Sequence, residues 1–475
     1  MKIAVLGGGI SGLSTAFLLQ ERLKNDEIKA QIHVFESDNR LGGKIKSFKT
    51  EEGYLCEYGT NGFLNSKPYT IDLCKDLGIY ENILSSNDES RERFVYSKGK
   101  LHKLPKSAPQ FLSCSLLSPL AKARVAWEPF VKKYHFENDE SLKEFAVRRL
   151  GKELYEKLID PMVSGVFAGN PETMSLKSSF PRIYELEYEY GSLIKAMMKL
   201  ASKKAKERKK EGLDKEMQSS PSGPGGRLVS FKGGLEELIQ ALENKLEIKP
   251  KLGARAMKIT SKQQTESSNY TITFQDGGSF EADIIISAIP GYAAFDALKY
   301  LDESFEDFTK IPYASLSIVG MGFDKKSFPH PLNGFGYLIP SKEKMKMLGT
   351  LWTSSIFKHR VKAEKVYIRN MLGGARANEL ALKPDDELIQ ISLEALEKTM
   401  GLKACKPEFV KIFKHEKAIP QYLVGHEVLV DNLETVASRN HGIFLTGNVL
   451  RGVGINDCVK SSQEIVEKVV NFIKS

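Results

Sequence analysis

The chain has 475 residues, which is enough for two or three domains with a substantial core. Its formal net charge of +9 suits anionic lipid, an acidic substrate or nucleic acid, and does not choose between them. The five cysteines are widely spread and include no CxxC pair, which argues against a disulfide framework or zinc site and favours free thiols in a reducing compartment. We predict no signal peptide and no membrane-spanning helix, because the chain has neither a basic leader nor 18 consecutive apolar residues.

The first predicted elements are a buried parallel strand, KIAVL, a glycine-rich turn and a helix from Leu13 to Leu23. The turn fits G-x-G-x-x-G, and the next strand, QIHVFE, ends in an acidic residue 24 positions past the last glycine of the turn. In dinucleotide-binding folds the glycines admit a pyrophosphate at the helix N-terminus and the carboxylate binds ribose. A glycine-rich turn in an unrelated α/β unit is the alternative. The predicted cofactor residues are Gly7, Gly8, Gly9, Ile10, Ser11, Gly12, Glu36 and Ser37.

A second glycine-rich segment, RLGGK, follows the acidic strand end directly. It resembles the R-x-G-G segment of FAD-dependent oxidases and desaturases of the amine-oxidase type. An arginine and a glycine backbone at this place can meet phosphate and ribityl oxygens of the cofactor. The alternative is a solvated basic turn. The residues concerned are Arg40, Gly42, Gly43 and Lys44.

The middle of the chain begins with a predicted hairpin over 91–105, turning at Lys98 and Gly99. Residues 107–200 are mostly helical in pattern, and their mixture of aromatic, leucine and basic residues fits either a packed helical subdomain or an interfacial membrane patch. Lysine-rich and then Ser/Pro/Gly-rich sequence over 199–226 predicts a solvated helix extension leading into a flexible loop. A nucleic-acid patch is less favoured there, because no aromatic residue interrupts the charges.

The remaining elements predict a discontinuous cofactor domain and a separate, largely antiparallel sheet with a helix over DDELIQISLEALEKTMG. The expected fold class is α/β: a Rossmann-like FAD-binding domain, an antiparallel-sheet substrate domain and a helical, membrane-associated domain. The predicted segments are 1–90, 228–298 and 416–475 for FAD binding, 91–106 and 299–415 for the substrate, 107–205 for the helices and 206–227 for the loop.

Six further stretches, in order along the chain, resemble the protoporphyrinogen oxidase family. They are EYGTNGFL (57–64), RFVYSKGKLHKLP (93–105), GVFAGNPETMSLKSSFP (165–181), GFGYLIPSKE with LGTLW (334–352), AIPQYLVGH (418–426) and TGNVLRGVGINDCV (446–459). The resemblance covers nearly the whole chain, and it implies non-covalent FAD because Cys458 lies outside the covalent-attachment motif of some amine oxidases.

The resemblance also implies further cofactor residues. The loop beside the flavin ring matches Gly59, Thr60, Asn61 and Gly62, the adenine position matches Met257, and the C-terminal flavin segment matches Gly447, Asn448, Val453, Gly454 and Ile455. His415 stands where relatives usually carry tryptophan, which puts that ring contact in doubt. A helix N-terminus facing the pyrimidine end of the flavin would stabilise the anionic reduced ring.

For the substrate, the resemblance places Arg93 against a porphyrinogen propionate and Phe335, Leu338 and Trp352 around the macrocycle. From the residues alone, the arginine could be an exposed hairpin residue and the three apolar residues could belong to a sheet core. We expect hydride transfer from a bridge carbon to flavin N5, reoxidation by molecular oxygen, and no catalytic side chain or metal. The alternatives are coproporphyrinogen III as substrate, an amine oxidase or carotenoid desaturase, and a non-catalytic FAD-binding or membrane-binding scaffold.

The predicted partners are a porphyrinogen, oxygen, a membrane surface contacted peripherally and no nucleic acid. The expected location is the cytoplasm, with a homodimer left open.

Overall fold

The computed structural model describes residues 1–134, 138–211, 226–261, 270–403 and 405–475. The chain divides into two compact units. Unit 1 comprises Met1–Ser85, Arg227–Pro312 and Glu427–Ser475, and unit 2 comprises Ser86–Gly226 and Tyr313–His426. Residues 107–205, which we expected as a helical domain of their own, fall in unit 2 together with its sheet, and residues 299–312 fall in unit 1.

The strands are β1 Lys2–Leu6, β2 Gln31–Phe35, β3 Ser47–Lys49, β4 Leu55–Glu57, β5 Phe63–Leu64, β6 Ile83–Ser85, β7 Arg93–Ser97, β8 Lys100–Lys103, β9 Leu228–Phe231, β10 Ala256–Ser261, β11 Tyr270–Phe274, β12 Ser279–Ala282, β13 Ile284–Ser287, β14 Tyr313–Asp324, β15 Gly336–Leu338, β16 Gly349–Leu351, β17 Lys365–Gly373, β18 Phe409–Pro420 and β19 Ile443–Leu445.

The α-helices are α1 Ile10–Asn25, α2 Pro68–Asp76, α3 Ala108–Ser113, α4 Pro119–Ala126, α5 Leu142–Leu150, α6 Lys152–Leu154, α7 Asp160–Phe167, α8 Leu176–Ser179, α9 Pro181–Tyr190, α10 Leu193–Glu211, α11 Glu236–Lys245, α12 Gly291–Leu298, α13 Thr353–Ile356, α14 Asn378–Ala381, α15 Asp385–Met400, α16 His426–Arg439 and α17 Ile455–Lys474.

Unit 1 is built on a parallel four-stranded sheet in the order β19-β13-β1-β2. Its central strands are apolar on both faces, and Ile3, Val5 and Ile286 are wholly buried, as a sheet covered on both sides requires. Helices α1 and α17 pack against each other beside this sheet. The parallel pairing brings the carboxyl ends of β1, β2 and β13 to one edge, which is where doubly wound folds bind their ligands.

Unit 2 is built on a seven-stranded sheet in the order β18-β14-β17-β16-β15-β7-β8. Strands β15 and β7 are parallel and the other neighbouring pairs are antiparallel. The predicted hairpin is confirmed: Lys98 and Gly99 have φ values of 51° and 79°, as a tight two-residue turn needs.

Strand β18 was not predicted. Its exposed Lys414, Glu416 and Lys417 obscure the apolar pattern, and the proposed segment boundary between 415 and 416 falls inside it.

The helices α3 to α10 also belong to unit 2 and are joined by a buried ion-pair cluster. Arg149, Glu128 and Glu187 are each wholly buried, and the guanidinium contacts both carboxylates. Glu128 also accepts bonds from the backbone amides of Leu193 (3.0 Å) and Ile194 (3.2 Å), so it caps the start of α10. The described residues include no helix long and apolar enough to cross a membrane. The described part of helix α10 is Leu193–Glu211, and most of the predicted flexible loop (212–225) lies outside the described residues.

Candidate functional site

The glycine turn after β1 has the close contacts that its spacing predicts. Gly7 has φ +104° and its amide donates to the Phe35 carbonyl at 2.8 Å, which ties the turn to the end of β2. A Cβ on Gly12 would lie 1.9 Å from the Gly7 carbonyl oxygen, so no larger residue fits there. A Cβ on Gly9, in contrast, would meet nothing within 4 Å. The turn is therefore closed against the helix and open in front of Gly9.

The carboxylate of Glu36 is held against the same turn. It is buried, and Oε2 accepts a bond from the Gly8 amide at 2.6 Å, while Oε1 accepts from the Asp38 amide at 2.8 Å and the Ser37 hydroxyl at 3.0 Å. These bonds orient the carboxylate at the carboxyl edge of the sheet. Gly8 and Glu36 are far apart in the sequence, and the parallel pairing of β1 with β2 brings them together.

The RLGGK segment folds onto the glycine turn. The Gly42 amide donates to the Gly8 carbonyl at 2.8 Å, and Gly9 and Gly42 form a parallel bridge. Arg40 donates to carbonyl groups of its own loop, those of Leu41 (2.9 Å), Ile45 (3.3 Å) and Gly43. In this structure Arg40 thus organises the loop, and its expected contact with a cofactor stays a prediction.

Two other predicted cofactor segments join this cluster in unit 1. A Cβ on Gly59 would lie 2.7 Å from the Lys44 carbonyl oxygen, so the Gly59–Gly62 loop passes directly beside the RLGGK segment. From the C-terminal part, Ser462 in α17 donates to the Ser11 carbonyl at 3.0 Å. The structure therefore gathers four segments around the start of α1, although they are spread over the whole chain.

The site fits an anionic dinucleotide. Helix α1 has Gly9 as its N-cap and no side chain bonds its first amides, which leaves donors for a phosphate at the positive end of the helix. Helix α17 likewise has Gly454 as its N-cap and no side-chain bond to its first amides. The open space at Gly9 and the fixed carboxylate of Glu36 supply the cradle and the ribose partner that such a ligand needs.

Lys44 and Cys458, which lie in or beside the predicted cofactor segments, both have shifted pKa values. Desolvation lowers the pKa of Lys44 to about 8, so an anion beside it would be needed to hold its proton at higher pH. Burial raises the pKa of Cys458 to about 11. This thiol is not activated as a nucleophile.

Met257 and His415 were also assigned to the cofactor. Met257 lies on β10 with 41% of its surface exposed. The segment before it is tied to the site, since Ala254 donates to the Glu36 carbonyl at 2.7 Å. His415 is buried in β18 of unit 2, opposite Leu316 of β14. Its role toward a cofactor stays a prediction.

The expected substrate residues meet in unit 2. The guanidinium of Arg93 lies over the ring of Phe335, 5.2 Å from its centroid, because parallel β7 and β15 pair Arg93 with Gly336. Among the described residues no carboxylate pairs with Arg93, since neighbouring Glu92 binds Lys103 (3.1 Å) and Lys106 (2.7 Å). Partial desolvation of the guanidinium lowers its pKa. The arginine therefore presents an unpaired cation beside an aromatic ring.

Leu338 and Trp352 differ in accessibility. Leu338 is half-buried and faces Gly165 of α7, where a Cβ would come within 2.2 Å of its Cδ2 atom. Trp352 is wholly buried between Phe94 (ring centroids 5.4 Å apart) and His330 (4.8 Å). Because Trp352 has no exposed surface, it cannot contact a ligand directly and can affect a pocket only by packing against residues such as Phe94 and His330.

Sequence reasoning missed two contributors. Ala288 lies beside the glycine turn, its carbonyl oxygen 3.1 Å from where a Gly7 Cβ would be. Gly165 sets the room available to Leu338. In the sequence, Ala288 and Gly165 are each visible only as a small residue beside an apolar run. Such a pattern does not show that Ala288 lies next to Gly7 or that Gly165 lies next to Leu338.

Comparison with known proteins extends the geometric findings. A family model described as flavin-containing amine oxidoreductase matches residues 10–470. Coproporphyrinogen III oxidase of Bacillus subtilis (strain 168) is 29% identical over 483 residues, covering 100% of this chain and 98% of the relative. Protoporphyrinogen oxidase 1, chloroplastic, of Arabidopsis thaliana is 30% identical over 487 residues, covering 99% and 88%.

A solved structure has a similar fold over the whole chain. A crystal structure described as "Putative protoporphyrinogen oxidase" from Exiguobacterium sp. 255-15 superimposes with a TM-score of 0.82 at 26% identity, covering 100% of this chain and 99% of that chain.

Proposed function

The chain belongs to the flavin-containing amine oxidoreductase family and is an oxidoreductase, and from that premise we propose that it oxidises protoporphyrinogen IX to protoporphyrin IX with FAD and oxygen in haem biosynthesis. The observation that carries the proposal is the near-complete coverage of relatives whose names give a porphyrinogen as substrate. When bound, FAD would supply the hydride acceptor, with oxygen as the terminal oxidant.

The residues of unit 1 bind and orient the cofactor. The first turn of α1 and the open face at Gly9 would hold the diphosphate, and Glu36 would accept hydrogen bonds from the ribose hydroxyls. Lys44 adds a positive charge beside this loop. Since the buried Cys458 thiol has a raised pKa, it supports non-covalent rather than thioether-linked FAD.

The residues of unit 2 orient the substrate. Arg93 donates to a propionate carboxylate in a bidentate manner, and the face of Phe335 and the half-buried Leu338 contact the macrocycle. The chain needs no acid or base of its own, because its contribution is to hold the bridge carbon in place and exclude water.

Coproporphyrinogen III is the second candidate substrate, because the Bacillus subtilis relative bears that name and covers this chain completely. It carries four carboxylates rather than two, so it would need more cationic contacts than Arg93 alone. An amine or polyene substrate is the alternative from another class, since it would use the same cofactor residues.

The deciding experiment compares substrates on the purified flavoprotein in air. Protoporphyrinogen IX and coproporphyrinogen III are supplied separately, and porphyrin fluorescence is followed against enzyme-free controls. We expect faster turnover of protoporphyrinogen. Faster turnover of coproporphyrinogen would move the assignment to the second substrate, and bound flavin that neither porphyrinogen reduces would overturn the porphyrinogen assignment.

We also propose that the helices of unit 2 touch a membrane surface from the cytoplasm. Supporting this are exposed apolar side chains interspersed with lysines: Leu112 (67% exposed), Leu120 (83%), Trp127 (62%), Phe130 (72%), Met197 (67%) and Met198 (68%). The rings of Trp127 and Phe130 are in contact at a tilted angle, with centroids 5.0 Å apart. Such a surface suits the headgroup boundary.

Vesicle sedimentation tests this membrane contact. Trp127→Ser with Phe130→Ser should release the protein from vesicles, and Tyr80→Ser, an exposed aromatic of unit 1, should not. Wild-type protein that stays in the supernatant at low salt would refute the contact. A homodimer stays a prediction, to be checked by light scattering.

A further inference from the structure

A groove with both polar and apolar lining residues in unit 2 lies outside the proposed cofactor and substrate residues. It has a volume of about 400 Å3 and is lined by Lys100, Leu101, His102, Lys103 and residues 113–116. One wall is the edge strand β8 and the other is the turn between α3 and α4. None of the eight lining residues is acidic.

The strand wall presents a cation that lacks a partner. Lys100 and His102 are two residues apart on β8, so their side chains project to the same face. Lys103 points the other way and pairs with Glu92 at 3.1 Å. Among the described residues, no carboxylate pairs with Lys100. Its charge is therefore available to a ligand in the groove.

The opposite wall is held by two further ammonium groups. Lys122 donates to the carbonyls of Leu112 and Cys114, both at 2.7 Å, and Lys157 donates to the Leu116 carbonyl at 2.5 Å. These bonds engage the carbonyl oxygens of Cys114 and Leu116, two of the four residues of this wall. The Cys114 thiol and the Ser115 hydroxyl also belong to this wall, and the Lys157 ammonium is paired with Glu153 at 2.7 Å.

A hydrogen-bonded pair joins the two walls. His102 Nε2 faces the Ser97 carbonyl at 3.1 Å and so carries the proton, which leaves Nδ1 to accept from the Ser115 hydroxyl at 3.4 Å. This second bond is long, and a shorter charge-assisted bond from Ser115 to an oxyanion would replace it favourably. Loss of the hydrogen bond from Ser115 would change the environment of the His102 ring.

We propose that this groove binds a phosphate-type oxyanion, through the Lys100 ammonium on one wall and the Ser115 hydroxyl on the other. A tetrahedral group offers oxygens to both walls, whereas a planar carboxylate offers them in one plane. The phosphate belongs either to a soluble compound or to a lipid headgroup. The headgroup source is chemically consistent with Leu112, which is 67% exposed and precedes the wall directly. The proposal does not depend on the oxidase activity.

The test is a titration of the holoprotein with inorganic phosphate at constant ionic strength, read from the His102 ring protons by NMR. The chain has eight histidines, and His102→Gln identifies the resonance. We expect a saturable shift, weakened about tenfold by Lys100→Gln and reduced by Ser115→Ala. Lys98→Gln, which removes an exposed lysine from the same hairpin outside the groove, should leave the titration unchanged.

Two further arms distinguish the sources of phosphate. Dihexanoyl-phosphatidylglycerol below its micelle concentration should bind more tightly than inorganic phosphate if a headgroup is the ligand, and equally if a soluble phosphate is. Both results support the site. No saturable shift, an equal loss in Lys98→Gln and Lys100→Gln, or acetate binding as tightly as phosphate would overturn it.

Discussion

Arg93→Ala tests the substrate assignment most directly. The guanidinium lies over the Phe335 ring and has no carboxylate partner among the described residues, so its charge is available for a propionate. A hydrogen bond between charged groups contributes ~1.5–3 kcal/mol, which corresponds to a roughly 10- to 150-fold loss of kcat/KM. Loss of the cation–π contact adds a smaller effect on the hairpin, of order 0.5–1 kcal/mol.

The assay is steady-state oxidation of protoporphyrinogen, followed by porphyrin fluorescence, with FAD content measured in the same samples. Most of the loss should appear in KM, because the arginine binds the carboxylate equally in the ground state and the transition state. Arg93→Lys should fall between wild type and alanine, since a lysine keeps the charge but not the bidentate geometry.

Lys98→Gln provides the matched control, because it removes one exposed positive charge from the same hairpin. It should change kcat/KM less than about twofold, as surface substitutions without a partner generally do. An Arg93→Ala enzyme with unchanged KM and full FAD content would refute the propionate contact. A parallel loss in both variants would instead indicate a general effect of charge on substrate attraction.

The other predictions concern the cofactor loop and the pocket. Gly12→Ala should lose FAD, because its Cβ would lie 1.9 Å from a backbone carbonyl oxygen; a normal flavin absorbance after purification would contradict this. FAD affinity should be constant below pH 8, where Lys44 is already charged, and fall by up to tenfold per pH unit above it, because binding must then restore the proton. Calorimetry across pH 6.5–9.5 measures this trend, and Lys44→Gln should abolish it. Gly165→Ala should displace Leu338 and raise KM several-fold at normal FAD content, whereas Val166→Ala on the exposed side of the same helix should not; equal KM values in the two variants would refute the pocket contact.

Local patterns in the sequence determined the βα unit that opens unit 1. The strand, glycine spacing and helix at residues 2–25 need no distant partner to be recognised, because their order is local and Gly12 is required by the carbonyl of Gly7 in the same βα unit. The β7–β8 hairpin was equally readable, since Lys98 and Gly99 mark a tight turn between alternating residues. These features follow from short-range sterics and periodicity.

Contacts between distant segments were decided only by the tertiary structure. Sequence could not show that Arg40 bonds its own loop, that β15 pairs in parallel with β7, or that Trp352 is wholly buried. Nor could it bring Lys100 and Ser115 to opposite walls of one groove. Each of these contacts depends on pairing and packing between elements that are separated along the chain. A sequence pattern indicates which face of an element is apolar, but it does not indicate which element covers that face.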